Sequence, residues 1–458
     1  MYHIDFNVPK TVHFIGIGGI SMSGLAEILL DEGFTVSGSD SQASDLTKHL
    51  ESMGAKVYIG QRAENIGDGI DVVVYTAAIH PDNPEFMAVQ AKGIPMLSRA
   101  ELLGQMMKNY RQALAVAGTH GKTTTTSMLA EIFMAAGTDP TISVGGILDS
   151  IGGNIRVGGS RLFLMEACEY TNSFLHFFPK IAVILNIDAD HLDFFKDLDD
   201  IRHSFRRFAQ LLPADGTLII NKEIEHLEEI TDGLSCRVVT FGLDSSADYY
   251  ADQISHDETG NAAFHVISHG KDTGRVELSV KGDHNICNAL SVIAVADLLD
   301  ISRDDVCSGL QSFTGTDRRF EYKGDWNGVT VIDDYAHHPT EIKATLKAAD
   351  VYPHREIWCV FQPHTYTRTK ALFPEFVEAL SHTDHVVLAD IYAARETDTL
   401  GVSSQMLAEE LKKKGCDAYY LPSFEAIEDF LKAHCQKGDV LITMGAGNVV
   451  NIGEALLK

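Results

Sequence analysis

A lysine and a threonine follow two glycines at the spacing of a phosphate-binding loop, in the segment Gly118-Thr119-His120-Gly121-Lys122-Thr123-Thr124. In such a loop, backbone N–H groups and the positive end of the following helix face a polyphosphate. Lys122 would add a cation, and the hydroxyl of Thr123 would hold Mg²⁺. The residue types and their spacing therefore predict that this segment binds the phosphates of a nucleotide.

The elements around the loop are those that such a site requires. Residues 113–117 form an apolar run that predicts a buried strand, and residues 123–136 predict a helix that ends before Gly137. The complete phosphate-loop pattern has glycine at position 116, where this chain has Val116, so the match is to the shorter GxxGK[ST]. The alternative is an ordinary strand-to-helix turn with a surface lysine, and the flanking elements favour nucleotide binding.

Acidic residues and a histidine follow the next two predicted strands. Glu166 and Glu169 come after the strand at 162–165, and His191 comes after the strand at 181–185. The carboxyl ends of adjacent parallel strands meet at one edge of a sheet, where carboxylates and phosphates repel one another unless a cation is present. We therefore predict that Glu169, Thr123 and phosphate oxygens hold a Mg²⁺ ion, and that His191 offers a nitrogen ligand for a second divalent ion. The alternatives are helix capping for the two glutamates and an ordinary exposed turn for the histidine.

The start of the chain carries a second glycine-rich turn. A strand at 11–15 leads into Gly16, Gly18, Gly19 and Ser21, and a second strand ends at Asp40, where a ribose-binding acid would fall. This pattern predicts a site for a nucleotide diphosphate without separating NAD from a UDP-sugar. The alternative is that the glycines serve only helix–strand packing. Arg99 follows a later short strand and could contact a phosphate or pair with Glu101.

The last third of the chain has four predicted strands that each end in a polar loop. The loops are residues 333–340, 362–369, 390–396 and 444–448. They predict a second open α/β domain whose histidine, arginine, tyrosine and aspartate side chains suit a small zwitterion.

Three intervening segments are open to more than one interpretation. The arginines at 318 and 319 could meet phosphate charge or lie in a solvated linker. The glycine-rich residues 145–159 predict flexible loops, and residues 243–280 predict a polar elaboration of the central sheet. For the polar segment 281–290, helix capping by Asn285 is favoured over contact with a nucleotide.

The composition indicates a soluble globular protein of about three domains. The 458 residues include 37 basic and 64 acidic side chains, a net charge of −27, which argues against a nucleic-acid or anionic-membrane surface. No apolar run approaches the roughly 20 residues of a membrane span, and no signal peptide is visible. The seven scattered cysteines indicate a reducing compartment, without a disulfide framework or structural zinc.

Eight motifs occur in an order that resembles the Mur ligase family: GTHGKTTT, EACEYTNSFL, NIDADH, DHNICNAL, TDRRFE, DDYAHHPTEI, FQPHTYTRT and MGAGNV. The resemblance covers nearly the whole chain. It implies an α/β fold of three domains, with a Rossmann-like domain for UDP-N-acetylmuramate at 1–108, a central P-loop ATPase with a mostly parallel sheet at 109–319, and a Rossmann-like, amino-acid-binding domain at 320–458. The implied activity is ATP-dependent ligation of L-alanine to the carboxylate of UDP-N-acetylmuramate through an acyl phosphate, in peptidoglycan precursor synthesis.

The resemblance also implies residue roles at the matching positions. The catalytic residues would be Lys122, Glu169, His191, Arg319 and His337, the last of which could accept the proton of the amine. ATP would be bound by Gly118, Thr119, His120, Gly121, Lys122, Thr123, Thr124, His284, Asn285, Asn288, Arg319 and Asp334. UDP-N-acetylmuramate would be bound by Gly16, Gly18, Gly19, Ser21, Asp40 and Arg99. L-alanine would be bound by Tyr335, His337, His364, Arg368, Gly445 and Gly447. Two Mg²⁺ ions, for which Mn²⁺ can substitute, would be held by Thr123, Glu169 and His191.

The chain departs from the family pattern at three positions. The first acidic motif commonly reads EADES, where this chain has Cys168 and Tyr170, and many relatives read PHRYTRT, where it has Thr365. The resemblance further implies a cytoplasmic monomer or weak homodimer without nucleic-acid binding or membrane insertion. Two alternatives are a murein-peptide recycling ligase, which adds a peptide to the same sugar nucleotide, and a binding protein gated by a nucleotide.

Overall fold

Three β-sheets follow one another along the chain, and each has helices packed against it. The computed structural model describes residues 2–76, 79–192, 194–258, 260–394 and 396–458. Each sheet is wholly or mostly parallel, which confirms the predicted α/β fold class. Short 3₁₀ helices lie at Ala63–Asn65, Asp149–Ile151 and Tyr170–His176.

The first sheet is built from alternating strands and helices of the N-terminal part. Its elements are β1 (Thr11–Ile15), α1 (Ile20–Asp31), β2 (Thr35–Asp40), α2 (Asp45–Ser52), β3 (Lys56–Ile59), β4 (Val72–Tyr75), α3 (Pro84–Lys92), β5 (Met96–Ser98) and α4 (Arg99–Met107). The five strands are parallel in the order β3-β2-β1-β4-β5. The strand order reverses beside β1, so the glycine turn after β1 opens at the place where such sheets bind ligands.

The central sheet has ten strands and carries the phosphate-loop segment. Its elements are β6 (Gln112–Ala117), α5 (Lys122–Ala135), β7 (Thr141–Leu148), β8 (Gly153–Arg156), β9 (Leu162–Ala167), β10 (Ile181–Ile184), α6 (Leu198–Ala209), β11 (Thr217–Asn221), α7 (Leu227–Thr231), β12 (Arg237–Gly242), β13 (Tyr249–His256), β14 (Asn261–Ser268), β15 (Lys271–Lys281), α8 (His284–Leu298) and α9 (Arg303–Ser312). The order is β15-β14-β13-β12-β11-β10-β6-β9-β7-β8. Because β6 lies between β10 and β9, the loops after these three strands are neighbours, as predicted.

Two predictions for the central part are wrong. The glycine-rich residues 145–159 do not form only loops, because β7 and β8 pair as an antiparallel hairpin, with Ile142 opposite Arg156. Asn285 does not cap α8; its side chain instead donates to the carbonyl of Lys281 at 2.7 Å and accepts from Asn288 at 2.9 Å. The predicted elaboration at 243–280 is confirmed, since β14 and β15 add to β13 in antiparallel fashion.

The third sheet has six strands, of which only the edge strand β16 runs antiparallel. Its elements are β16 (Glu321–Trp326), β17 (Val329–Asp334), α10 (Pro339–Asp350), β18 (Ile357–Phe361), α11 (Tyr366–Ala371), α12 (Phe373–Leu380), β19 (His385–Leu388), α13 (Ser404–Lys413), β20 (Asp417–Tyr420), α14 (Phe424–His434), β21 (Val440–Met444) and α15 (Val450–Leu456). The strand order is β16-β17-β21-β18-β19-β20, with the polar loops after β17, β18 and β21 side by side.

The first two sheets share a hydrophobic core. A single cluster of buried side chains runs from Phe14 beside the first sheet through Met106 of α4 to Phe163 of β9. Packing at this junction is close, because a Cβ added at Gly104 of α4 would lie 1.9 Å from the carbonyl oxygen of His176. Within the described ranges, no helix is long and apolar enough to cross a membrane.

Candidate functional site

The predicted phosphate loop lies between β6 and α5, and its glycines are required by their surroundings. Gly118 has φ +148°, and a Cβ there would approach the Leu185 side chain to 2.9 Å. Gly121 has φ +82°, a left-handed conformation that disfavours other residues. The helix begins at Lys122, one residue earlier than predicted. The chain therefore turns from a buried strand into a helix within four residues, which presents backbone N–H groups at the helix start.

The side chain of Lys122 folds back over this loop. Its Nζ donates to the carbonyl oxygens of Gly118 and Thr119 at 2.5 and 3.0 Å and to Glu169 at 3.0 Å. Burial opposes the charge on Lys122, but the carboxylate of Glu169 outweighs it and raises the pKa of the lysine. Lys122 thus remains an ammonium ion, and to contact a phosphate it has to exchange one of these partners.

Two carboxylates stand beside the loop at the end of β9. Glu169 is 2% exposed and makes no side-chain bond that caps the following 3₁₀ helix, so the capping interpretation is wrong for this residue. Glu166 accepts from the backbone N–H of Gly145 at 2.5 Å and from the hydroxyl of Thr123 at 3.3 Å. Burial raises the pKa of Glu166, although the backbone N–H of Gly145 and the charge of Lys122 act in the opposite direction.

His191 lies on the other side of Glu169. Its Nε2 is 4.0 Å from the Glu169 carboxylate, and its ring centroid is 4.5 Å from that of Tyr170. Thr123, Glu166, Glu169 and His191 together offer one hydroxyl, two carboxylates and one imidazole. The oxygen donors suit Mg²⁺, and the imidazole is also compatible with Mn²⁺. The residues present therefore fit a divalent metal site next to the phosphate loop.

A cavity of about 790 Å³ opens between the central part and the third sheet, next to the phosphate loop. This volume is in the usual range for a small-molecule site. Of the residues predicted to bind ATP, the following line it: His120, Gly121, Thr124, His284, Asn285, Asn288, Arg319 and Asp334. The lining also includes residues that were not predicted to bind ATP, namely Asn221, Glu223, Phe241, Leu243, Lys281, Thr340 and Glu341. Gly118, Thr119, Lys122 and Thr123 lie beside the cavity and are not part of its lining.

The two adjacent arginines have different environments. Arg319 lines the cavity, and its guanidinium carbon lies 5.3 Å from the centre of the Tyr335 ring. Arg318 instead holds the loop after β21, because it donates to the carbonyl oxygens of Gly445 at 2.7 Å and Gly447 at 3.1 Å. Sequence reasoning gave both arginines the same alternatives, and the tertiary contacts of each side chain separate them.

Asp334 lies at the end of β17, on the wall of the cavity. Its carboxylate accepts from the backbone N–H groups of Phe320 at 2.9 Å and Ala336 at 2.7 Å. Burial raises the pKa of Asp334 to about 6, although the charge of Arg319 acts in the opposite direction.

Two histidines of the predicted amino-acid site face each other at the ends of β17 and β18. The rings of His337 and His364 lie 5.7 Å apart, and that of Tyr335 lies 5.6 Å from His337. Burial lowers the pKa of both histidines to about 4, so both are neutral near pH 7. Because Nδ1 of His337 lies 3.0 Å from the carbonyl oxygen of Tyr335 and must donate to it, the lone pair of His337 is on Nε2.

Gly445 and Gly447 lie in the loop that follows β21, and Tyr392 connects Gly447 to the histidine pair. A Cβ on Gly447 would come within 3.0 Å of the Tyr392 ring, and Tyr392 stacks on His364 at 5.7 Å. Arg368 donates to His364 at 3.1 Å, and the same guanidinium contacts Asp190 of the central part with two nitrogens at 2.9 Å. Arg368 is thus already paired across the two domains.

Further contacts across the same boundary had not been predicted. His120 of the phosphate loop lies 3.1 Å from the Glu341 carboxylate and 3.3 Å from that of Asp188, and the Thr340 hydroxyl donates to Asp188 at 2.5 Å. Asp188 and Asp190 belong to the motif NIDADH, and Thr340 and Glu341 to DDYAHHPTEI. The motifs therefore identified these residues as candidates, but they did not indicate which side chains contact one another.

The glycine turn of the first sheet carries its own acid. The backbone N–H of Gly18 donates to Asp40 at 2.9 Å, and Gly16 has φ +88°. Arg99 donates to the hydroxyl of Ser21 at 3.1 Å. The pairing of Arg99 with Glu101 is not seen in the described contacts, since Glu101 accepts from Ser98 in a capping box. Burial lowers the pKa of Arg99, because the charged guanidinium loses contact with water.

Comparisons with known proteins agree with the three-part architecture. Residues 11–111 match the model described as Mur ligase family, catalytic domain; residues 116–296 match the Mur ligase middle domain; and residues 318–447 match the Mur ligase, glutamate ligase domain. A UDP-N-acetylmuramate–L-alanine ligase of Agathobacter rectalis is 61% identical over the whole of both chains.

Solved structures show the same similarity. The crystal structure of a UDP-N-acetylmuramate–alanine ligase from Thermotoga maritima is 30% identical, covers 98% of each chain and has a TM-score of 0.78. A murein peptide ligase from Psychrobacter arcticus is 26% identical over the same shares, with a TM-score of 0.69.

Proposed function

The chain belongs to the Mur ligase family, and from this premise we propose that it joins L-alanine to UDP-N-acetylmuramate with ATP, in peptidoglycan precursor synthesis. It is an ATP-dependent, amide-bond-forming ligase, because the 61% identical relative with the same length is named for this reaction. The observation in the fold that supports the proposal most strongly is the juxtaposition of Lys122, Glu169 and His191 at the mouth of the central sheet. A nucleotide-sized cavity adjoins them.

The proposed reaction activates a carboxylate that is by itself a poor acyl donor. An oxygen of the muramate carboxylate attacks the γ-phosphorus of ATP, the bond to the β–γ bridging oxygen breaks, and ADP leaves. The amine of L-alanine then attacks the carbonyl carbon of the acyl phosphate. Inorganic phosphate leaves, and the amine nitrogen loses one proton. The first step brings two anions together, so the protein must supply alignment and charge neutralisation.

Residues around the phosphate loop would supply this charge. Lys122 in the loop and Arg319 on the cavity wall would be the cations that meet the phosphates, once Lys122 has exchanged one of its present partners. Thr123, Glu169 and His191, together with the neighbouring Glu166, would hold the divalent ions. When bound, Mg²⁺ supplies charge neutralisation at the phosphate oxygens. We propose two such sites, with Mn²⁺ as a substitute.

Residues of the third sheet would receive the amine. His337 is neutral near pH 7 and has its lone pair on Nε2, so it can take the proton that the alanine amine loses. His364 and Tyr335 would enclose the amino acid, while Gly445 and Gly447 form the adjoining loop. Arg368 would shape this site through its bond to His364.

The N-terminal sheet would bind the sugar nucleotide. The turn from Gly16 to Ser21 carries Gly18 and Gly19, and its N–H groups would meet the diphosphate, with Asp40 at the ribose and Arg99 as the cation. We propose the predicted domains at 1–108, 109–319 and 320–458 as the units that carry the three substrates. We also propose a cytoplasmic location, where both nucleotide substrates are available, and a monomer or weak homodimer.

A phosphate-release assay tests this function. With ATP and Mg²⁺ present, we expect release to require both UDP-N-acetylmuramate and L-alanine. A tripeptide acceptor in place of L-alanine should give little release, whereas a recycling ligase would prefer it. ATP turnover that is independent of the sugar nucleotide would instead favour a nucleotide-gated binding protein and would refute the proposal.

A further inference from the structure

Three side chains from two domains form a cluster that the proposed reaction does not use as a unit. His120 lies in the phosphate loop, Asp188 follows β10, and His338 precedes α10. One ligand atom of each lies within 4.8 Å of the other two. Nε2 of His120 is 3.3 Å from the Asp188 carboxylate, and Nδ1 of His338 is 3.9 Å from the same oxygen.

Two imidazoles and one carboxylate are the donors of a transition-metal site. Zn²⁺ binds imidazole nitrogen and carboxylate oxygen at about 2.0–2.2 Å, so its tetrahedral ligands lie roughly 3.3 Å from one another. The two distances to Asp188 already approach this spacing. Mg²⁺ prefers an all-oxygen shell, so this donor set selects Zn²⁺, Co²⁺ or Ni²⁺ instead.

Outer hydrogen bonds orient the two histidines as metal ligands require. Nδ1 of His120 faces the Glu341 carboxylate at 3.1 Å, which leaves Nε2 directed at Asp188. Nε2 of His338 faces the carbonyl oxygen of Ala189 at 3.1 Å, and its Nδ1 accepts weakly from the backbone N–H of Thr340 at 3.3 Å. His338 is therefore the tautomer with its lone pair on Nδ1. Such carboxylate–histidine and carbonyl–histidine pairs are typical of metal sites.

We propose that His120, Asp188 and His338 bind a transition-metal ion of the Zn²⁺ type across the boundary between the central part and the third sheet. The site is complete only when the two are docked, because His338 comes from one side and the other two ligands come from the other. An ion bound there holds the domains together, and it slows every step that needs them to separate. The binding itself does not rest on the proposed ligase function.

The first experiment measures binding to the full chain without substrates, in buffer with excess Mg²⁺. We expect one Co²⁺ to give the visible absorption of a tetrahedral complex and one Zn²⁺ to displace it. His338→Asn should weaken Zn²⁺ binding at least 10-fold, because asparagine can still cap α10 but is a poor ligand. His382→Ala, which removes an exposed histidine outside the cluster, should bind as the wild type does.

A crystal grown with Zn²⁺ provides the second measurement. An anomalous peak within bonding distance of all three side chains is the expected result. Absence of tetrahedral Co²⁺ absorption in the folded wild type, or equal Zn²⁺ affinity in wild type and His338→Asn, would overturn the proposal. Neither outcome would bear on the ligase reaction, whose own test is phosphate release in Mg²⁺ alone.

The third measurement links the site to turnover. We expect Zn²⁺ added over excess Mg²⁺ to inhibit the wild type, and His338→Asn to need at least 10-fold more Zn²⁺ for the same inhibition. Equal sensitivity of both proteins would mean that Zn²⁺ acts at the Glu169 and His191 site, and it would overturn the regulatory part of the proposal.

Discussion

The ion pair between Arg368 and Asp190 connects the third sheet to the central part, and its removal should impair ligation more than nucleotide binding. Two guanidinium nitrogens lie 2.9 Å from one carboxylate oxygen, and the side chains are only 10% and 8% exposed. Burial opposes ionisation of Asp190, but the charge of Arg368 dominates and holds its pKa below the usual range. Both charges are therefore present in the docked arrangement.

The magnitude follows from the burial of this pair. Removing one partner of a buried ion pair costs about 3–5 kcal/mol, because the other charge is left unpaired. Since both groups regain water when the domains separate, we expect about 2–3 kcal/mol of this cost to weaken docking. At 1.36 kcal/mol per factor of ten, kcat/KM for L-alanine in Arg368→Met should fall roughly 30- to 150-fold.

The assay is a double-mutant cycle on kcat/KM for L-alanine, at saturating ATP and UDP-N-acetylmuramate. It compares Arg368→Met, Asp190→Asn and the double variant, and we expect a coupling energy of about 2 kcal/mol. The Kd of ATP should change less than kcat/KM for L-alanine, because neither residue lines the cavity. Lys413→Met serves as the control, since its partner Glu410 forms an exposed pair within one helix.

A coupling energy below about 0.5 kcal/mol would refute this reasoning. It would mean that Arg368 acts independently of Asp190, as it would if its main partner were the carboxylate of L-alanine. A large effect of Arg368→Met with no effect of Asp190→Asn would lead to the same conclusion. A parallel loss of ATP affinity in Arg368→Met would show that the substitution disturbs the cavity.

Three further predictions concern the loop, its histidine and a domain junction. Lys122→Ala should lower kcat in the phosphate-release assay by roughly 10²–10³-fold, and near-normal ligation would exclude its role at the phosphates. The pKa of His120 is raised to about 9 from 6.5, so its stabilising contribution is complete below pH 6.5 and is lost as pH rises through 9. Between pH 7 and 10 the wild type should lose up to about 3 kcal/mol of unfolding free energy through His120, and the His120→Asn variant should not show this loss. A variant whose Tm has the same pH profile as the wild type would contradict this. Gly104→Ala should lower Tm although alanine favours helices, because its Cβ would overlap the His176 carbonyl, whereas Gly67→Ala has open space and should not.

Local sequence patterns were sufficient for the fold class and for the neighbourhood of the site. Apolar runs followed by polar residues predicted β6, β9 and β10, and the structure places these strands side by side. The errors arose where one pattern has two structural meanings. Glycines at 145 and 146 suggested a loop, but they lie in β7, where the backbone N–H of Gly145 approaches Glu166 to 2.5 Å. A side chain at Gly145 would collide with that carboxylate.

Contacts between domains were beyond the reach of local patterns. Arg368 and Asp190 are 178 positions apart, and His120 and Glu341 are 221 apart. Their side chains could equally have faced water, because nothing in their neighbouring residues specifies the partner. The roles predicted for individual site residues remain predictions, since proximity alone does not identify which group contacts substrate.

The sequence by itself determined the alternation of strands and helices, the phosphate loop and the motifs of the family resemblance. Each of these depends on residues that are close together in the sequence. Only the tertiary structure decided that Arg318 holds the Gly445 loop while Arg319 faces the cavity, and that Arg368 pairs with Asp190. The physical reason is that hydrogen bonds and ion pairs act over about 3 Å, so their partners are fixed by how the domains dock and not by distance along the chain.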